Sequence, residues 1–231
     1  MRNKLTLYAL LSFFTLSVII LSCSDDEQTA SPITLAEATH KVLTDVLDND
    51  FDSLLFYRHP EKITSGTEFR YYPSGEPDPA FIVDEASWFF FVDDVPGARW
   101  AHPCRWILVA ENGGAVQITD EEWPPGFFDE MEMYYTLDTA TKKVVASIMF
   151  DSLEYKDLYY STNLIAAGQA ITNPTGGNYT APANSWFFFI DDLPQAFYAH
   201  DCRYVFIEVW GGADSVINEQ WPPDIHLEMY D

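Results

Sequence analysis

The feature of this sequence that most constrains its fold is an internal repeat. The stretch "SWFFFVDDVPGARWAHPCRW" at Ser87–Trp106 returns as "SWFFFIDDLPQAFYAHDCRY" at Ser185–Tyr204. Aligned without a gap, Ser87–Pro125 and Ser185–Pro223 are identical at 20 of 39 positions. Two long copies of this kind indicate two small domains, each with its own hydrophobic core.

Weaker matches extend the repeat toward the N terminus. "TLAEATHKVL" at Thr34–Leu43 resembles "TLDTATKKVV" at Thr136–Val145. The sequence therefore predicts one unit over residues 33–132 and a second over residues 133–231, preceded by a linker at 23–32.

The elements of one unit indicate an α+β fold. Apolar residues at helical spacing in Thr34–Leu47 predict an amphipathic helix. Trp88–Val92 and Arg105–Ala110 are rich in aromatic and branched residues and are predicted as strands, and Asn112–Gly114 is a hairpin signal. We expect two tandem repeats, each with one N-terminal helix packed on an antiparallel sheet of about four strands.

The first residues resemble a bacterial lipoprotein signal. Arg2 and Lys4 precede an uncharged apolar run from Leu5 to Leu21, and "ILSC" at its end resembles a lipobox. The resemblance implies that residues 1–22 are a signal peptide and that Cys23 carries the lipid, including palmitate. The following "SDDE" resembles the export signal of Bacteroidetes surface lipoproteins, which implies attachment to the outer face of the outer membrane. An uncleaved anchor and a plain secretory signal are the alternatives.

The charge of the chain excludes one class of partner. With 36 acidic against 12 basic residues, the net charge is −24. Nucleic acid phosphates would repel such a chain, so no nucleic-acid partner is predicted. Aromatic residues make up 16% of the chain and hydrophobic residues 48%, which favours folded domains over disorder.

The repeated His-x-Cys-Arg motif admits several interpretations. Alternate residues of a strand share a face, so Cys104 joins the apolar row of Trp106, and Cys202 does the same in the second copy. A buried core position is the main interpretation, and a disulfide between the copies is an alternative in an oxidising compartment. A second alternative is a tetrahedral zinc site. Its ligands would be His102, Cys104, His200 and Cys202.

No catalytic residue and no cofactor is predicted. A Cys–His nucleophile would need hydrogen-bond contact, whereas two positions along one strand face lie roughly 6–7 Å apart. The arginines of the motif lie on the opposite strand face and predict ion pairs with the double aspartates. The candidate pairs are Arg105 with Asp93 or Asp94, and Arg203 with Asp191 or Asp192.

Four short segments fit the loose O-glycosylation pattern of Bacteroidetes, in which Asp precedes Ser or Thr and an apolar residue follows. The candidate acceptors are Ser53, Thr139, Ser152 and Ser215.

The order of elements carries a second resemblance. A helix that opens "ITLAEA", followed by strands and an aromatic hairpin, resembles PepSY-type modules and the propeptide modules of secreted bacterial proteases, which share a helix-on-sheet shape with cystatins. The resemblance implies non-catalytic binding of a protease or another exported protein.

Together these features predict a non-catalytic, surface-anchored binding lipoprotein, held to the membrane by its lipid, with a protein or peptide partner. Aromatic residues are enriched at interfaces, so we expect contacts at Tyr71-Tyr72 and Phe127-Phe128; the alternative is that these rings close the core. One alternative is a secreted hydrolase that acts on glycans or peptides through carboxylates. Another is a structural component of a surface complex.

Overall fold

The computed structural model describes residues 31–49, 51, 53–71, 81–150, 155–212 and 214–230. The predicted signal peptide, Cys23, most of the linker, Tyr72 and Ser152 lie outside these residues. Over the part of the chain that is described, no helix has the length and hydropathy needed to cross a bilayer.

The fold is α+β, as predicted, and its strands pair antiparallel. We refer to residues 31–134 as the first half and to residues 135–230 as the second half. The strands of the first half are β1 (Leu55–Arg58), β2 (Glu68–Phe69), β3 (Phe81–Ile82), β4 (Ser87–Asp93), β5 (Cys104–Ala110), β6 (Val116–Glu121) and β7 (Glu132–Met133). Those of the second half are β8 (Asp157–Tyr160), β9 (Ala170–Thr172), β10 (Asn178–Thr180), β11 (Ser185–Asp191), β12 (Cys202–Glu208), β13 (Ser215–Glu219) and β14 (Glu228–Met229).

Each half contains a five-stranded sheet rather than one of about four strands. The orders are β6-β5-β4-β1-β7 and β13-β12-β11-β8-β14, and β2-β3 and β9-β10 form separate two-stranded sheets. The additional strand β7 pairs with β1, so the boundary predicted between residues 132 and 133 falls inside it. Two-residue strands such as β7 and β14 are too short to show an alternating pattern in the sequence.

One α-helix precedes each five-stranded sheet. They are α1 (Leu35–Lys41) and α2 (Leu137–Lys143), and each continues as one turn of π-helix, over Val42–Val46 and Val144–Ile148. The hydroxyl of Thr34 caps α1 by accepting from the Glu37 N–H, while the Glu37 carboxylate accepts from the Thr34 N–H. This capping box satisfies two backbone donors and makes the start of the helix well defined.

The sheets are buried on both faces. In the first half, Ala38 and Val42 of the helix pack on Phe90 and Ile107. On the opposite face, a second buried cluster forms around β2 and β3. Its members are Ile63, Phe69, Val83, Phe89, Phe91, Cys104, Trp106 and Leu108. Burial on both faces explains why "WFFF" is continuously apolar instead of alternating with polar residues.

The two halves touch through the turn that follows β12. The ring of Trp210 lies 4.9 Å from the ring of Tyr134 and 5.8 Å from that of Phe56. The guanidinium of Arg58 lies 3.9 Å from the centroid of the Trp210 ring. An aromatic residue of the second half therefore completes part of the core of the first.

Candidate functional site

The repeated motif surrounds two loops. Loop A, residues 94–103, joins β4 to β5, and loop B, residues 192–201, joins β11 to β12. Both loops leave their hairpins in the same register, because Asp93 pairs with Cys104 and Asp191 pairs with Cys202. The two loops therefore begin and end at equivalent positions of their hairpins.

An arginine–aspartate pair closes the base of each loop. In loop A, Arg105 donates from Nε and Nη2 to the two carboxylate oxygens of Asp94, at 3.0 and 2.6 Å. In loop B, Arg203 makes the same pair of bonds to Asp192, at 2.9 and 2.7 Å. Two parallel charge-assisted bonds fix orientation as well as distance. Two aspartates were candidates for each arginine, and in both loops the second of them, Asp94 or Asp192, forms the pair.

Asp93, the last residue of β4, contacts a histidine instead. Nε2 of His102 lies 3.0 Å from Oδ1 of Asp93, and Nδ1 of the same ring lies 2.7 Å from the Trp100 carbonyl. The Val95 N–H also donates to Asp93, at 3.0 Å. Asp93 thereby connects the beginning of loop A to its end.

Loop B repeats this arrangement. Nε2 of His200 lies 2.9 Å from Asp191 and its Nδ1 lies 2.6 Å from the Tyr198 carbonyl, while the Leu193 N–H donates to Asp191. Both ring nitrogens of His200 face acceptors, and only the protonated ring has two N–H donors. The hydrogen bond to Tyr198 and then the Asp191 carboxylate raise the pKa of His200. The aspartate–histidine contacts are not among the predicted pairs, although both residue types recur in both copies of the motif.

The loops display large aromatic side chains to solvent. Trp100 of loop A is 70% exposed. In loop B, Tyr198 is 71% exposed and Phe197 is fully exposed. Each loop therefore carries at least one exposed aromatic ring on a segment whose two ends are joined by ionic contacts.

The aromatic contacts predicted in the first half lie elsewhere. Phe127 packs on Phe89 at 5.1 Å between ring centroids, and Phe128 packs on Tyr57 at 4.9 Å. The hydroxyl of Tyr71 donates to Glu121 at 2.9 Å. The prediction that Phe127 and Phe128 form exposed contact points is therefore wrong, because these rings close the second face of the sheet.

The cysteines of the motif are buried and free. Cys104 donates a weak hydrogen bond to the Trp123 carbonyl at 3.4 Å, and Cys202 donates to the Trp221 carbonyl at 3.5 Å. Burial raises the pKa of both thiols to about 12, which removes the thiolate that a nucleophile requires. The alternative of a disulfide between them is wrong, because they belong to the cores of different sheets.

The zinc alternative is also not supported by the geometry. Among the described residues, no group of three or more His, Cys, Asp or Glu is placed to hold a metal ion. His102 and Cys104 lie at the first sheet, whereas His200 and Cys202 lie at the second. The structure therefore does not assemble the four predicted ligands, and each ring Nε2 already contacts an aspartate.

The candidate O-glycosylation residues differ in accessibility. Ser53 is exposed in a turn, whereas Ser215 is half-buried at the start of β13. Thr139 is half-buried, and its hydroxyl bonds to Thr136 at 3.1 Å. Ser53 is therefore the most accessible acceptor among the described candidates.

No family model, curated protein or solved structure matches this chain.

Proposed function

We propose that this chain is a non-catalytic binding lipoprotein, composed of two copies of one unit and anchored by Cys23 to the outer surface of the outer membrane. Its partner is an exported protein or peptide. The observation that carries the proposal is the exposure of Trp100, Phe197 and Tyr198 on the two clamped loops.

The ionic contacts that join the two ends of each loop favour binding, because they reduce the conformational entropy that the loop loses when a partner docks. A loop that is already ordered loses less freedom when a partner docks on it. Aromatic side chains have few rotatable bonds and bury large areas, which is why they dominate binding energy at interfaces. The paired contacts at Asp93 and Asp94, and at Asp191 and Asp192, supply that order in each loop.

The charge of the chain favours a basic partner. The net charge is −24, and the ionic groups at the base of loop B are already paired, which leaves the exposed Asp201 as a further negative charge. Opposite charge accelerates encounter and selects partners. We therefore expect an apolar pocket with a basic rim on the partner.

The motif residues favour a binding role over the hydrolase alternative. Asp94 and Asp192 are each held by an arginine, and Asp93 and Asp191 each by a histidine. Carboxylates engaged in this way are poorly placed to act as acid and base. Matching sheet order and register in the two halves support the proposal of two copies.

The test compares residues 24–231 with a triple variant, Trp100→Ser, Phe197→Ser and Tyr198→Ser. Each protein is immobilised and exposed to culture supernatant of the source organism, and the captured partner is purified for calorimetry. We expect the triple variant to lose at least about tenfold in affinity while its melting temperature is unchanged. Ile82→Ser, an exposed apolar residue of β3, is the matched control and should bind normally.

The resemblance to propeptide modules makes a protease the first partner to assay. Loss of its activity at one-to-one stoichiometry would identify inhibition, whereas retained activity would identify simple binding. Turnover of a glycan or peptide panel by the chain, abolished by a single carboxylate substitution, would overturn the proposal in favour of the hydrolase.

Anchoring has a separate test. Cys23→Ala should abolish metabolic labelling with palmitate and release the chain from the membrane fraction. External protease should digest the wild-type chain on intact cells. A labelled Cys23→Ala chain would contradict the lipid assignment without affecting the binding proposal.

A further inference from the structure

Trp210, in the turn that follows β12 in the second half, packs against side chains of the first half. The guanidinium of Arg58 lies 3.9 Å above the ring of Trp210, and the rings of Phe56 and Tyr134 pack against its other sides. Trp210 is followed by Gly211, whose φ of 71° requires glycine for the tight turn. We call Phe56, Arg58 and Tyr134 the first socket.

Backbone pairing identifies the equivalent positions in the second half. The Tyr134 N–H donates to the Phe56 carbonyl at 2.8 Å, and the Tyr230 N–H donates to the Leu158 carbonyl at the same distance. Tyr230 and Leu158 therefore correspond to Tyr134 and Phe56.

The second-half residue that corresponds to Arg58 is identified by the pairing of the two-residue strands β7 and β14. Arg58 pairs with Glu132 between β1 and β7, and Tyr160 pairs with Glu228 between β8 and β14. Arg58 also bonds Glu132 through its side chain, as the Tyr160 hydroxyl bonds Glu228. Tyr160 thus takes the place of Arg58, and Leu158, Tyr160 and Tyr230 form the second socket.

A cavity of about 630 Å³ lies beside the second socket. Tyr160, Tyr230 and Trp186 line it, together with α2 and with Phe51 and Tyr134 of the first half. Tyr230 is 47% exposed, so one wall of the cavity opens to solvent. The volume falls within the range of ligand sites in proteins.

We propose that this cavity binds an aromatic side chain of a partner peptide, as the first socket binds Trp210. Aromatic walls suit an aromatic guest through edge-to-face and offset packing. The charged residues of the lining, Asp138 and Lys142, pair with each other at 2.6 Å, which favours an uncharged guest over an anion. This site is separate from loops A and B, and it does not depend on their function.

A second copy of the chain is a poor fit for the site. Trp210 is already engaged inside its own chain. In the gapless alignment, the turn position of the first half that corresponds to Trp210 is Asn112. At this turn, a copy docked head to tail would therefore offer an amide rather than an aromatic ring, which favours a foreign peptide as the occupant.

The test uses N-acetyl-tryptophanamide as the probe and residues 24–231 labelled with ¹⁵N. We expect saturable shifts at the amides of Tyr160, Trp186 and Tyr230, and weaker effects of N-acetyl-leucinamide. Tyr160→Arg would copy the cation–π contact of the first socket, so the probe should bind about two- to fivefold more tightly. Because this variant gains affinity, its result does not depend on a loss that misfolding could imitate.

Two further variants complete the test. Tyr230→Ala should weaken binding of the probe at least about fivefold. Ile82→Ser removes an exposed apolar side chain of β3, away from the cavity, and should bind the probe like the wild type. Absence of saturable binding, or equal binding of the leucine and tryptophan probes, would overturn the proposal. Preferential binding of maltose, or a concentration-dependent dimer that buries the cavity, would overturn it in favour of a glycan or a second copy.

Discussion

Nε2 of His200 lies 2.9 Å from Oδ1 of Asp191, and this contact joins the end of loop B to its beginning. The pKa of His200 is raised above its ordinary value of 6.5 by the Tyr198 carbonyl and the Asp191 carboxylate. The stabilisation is therefore complete below about pH 6.5 and is lost as pH rises through the raised pKa.

We predict that His200→Gln lowers the free energy of unfolding most at about pH 5–6 and progressively less at higher pH. Urea denaturation of the wild type and the variant across this range measures the difference. His226→Gln, a substitution at an exposed histidine outside the loops, is the control. A difference that is constant with pH would contradict the protonated contact.

The Arg105–Asp94 pair should show measurable coupling. Arg105→Met, Asp94→Asn and the double variant form a thermodynamic cycle for two partly buried groups joined by two hydrogen bonds. We expect a coupling energy of about 1–2 kcal/mol, because either single substitution leaves its partner without its bonds. The cycle is measured by chemical denaturation, and coupling near zero would show that solvent screening cancels the pair.

The two thiols should be unreactive in the folded chain. With pKa values of about 12, Cys104 and Cys202 expose almost no thiolate near neutral pH. In the chain from residue 24 onward, which retains only these two cysteines, labelling with Ellman's reagent should be about a thousandfold slower than in denaturant. Rapid labelling of the folded protein would contradict the buried assignment.

Trp210 should contribute strongly to stability. Trp210→Ala removes a ring packed on Phe56, Tyr134 and Arg58, so we expect a loss of about 2–4 kcal/mol. The exposed Trp100 supplies a control, since Trp100→Ala should change stability by less than about 0.5 kcal/mol. Calorimetry should also show a less cooperative unfolding transition in the Trp210 variant, because an aromatic contact between the halves is lost.

The central hairpins were predictable because their residues are buried on both faces. Phe90 and Val92 meet the helix, while Phe89 and Phe91 meet the opposite cluster. A segment dense in aromatic and β-branched residues indicates a strand even when the segments that pack against it are unknown. The strands β7 and β14 lacked such a signal, since each contributes only two residues to its sheet.

The strand face on which Asp93 or Asp94 lies follows from the register of the hairpin. Asp93 pairs with Cys104 across the hairpin and so shares its face, which leaves Asp94 on the face of Arg105. His102 precedes Cys104 by two positions and returns to the face of Asp93. The choice between adjacent aspartates therefore required the hairpin register, which depends on the whole pairing of β4 with β5 rather than on any one residue.

By itself, the sequence determined the α+β class, the central strands, the helices and the inward direction of Cys104 and Cys202, because these follow from periodicity within a few residues. Only the tertiary structure decided which aromatic residues are exposed. Trp210 is covered by the first half, Phe127 closes a core, and Phe197 meets solvent, although all three are large aromatic residues in connecting segments. Burial depends on what covers a side chain, and that cover comes from residues distant in sequence.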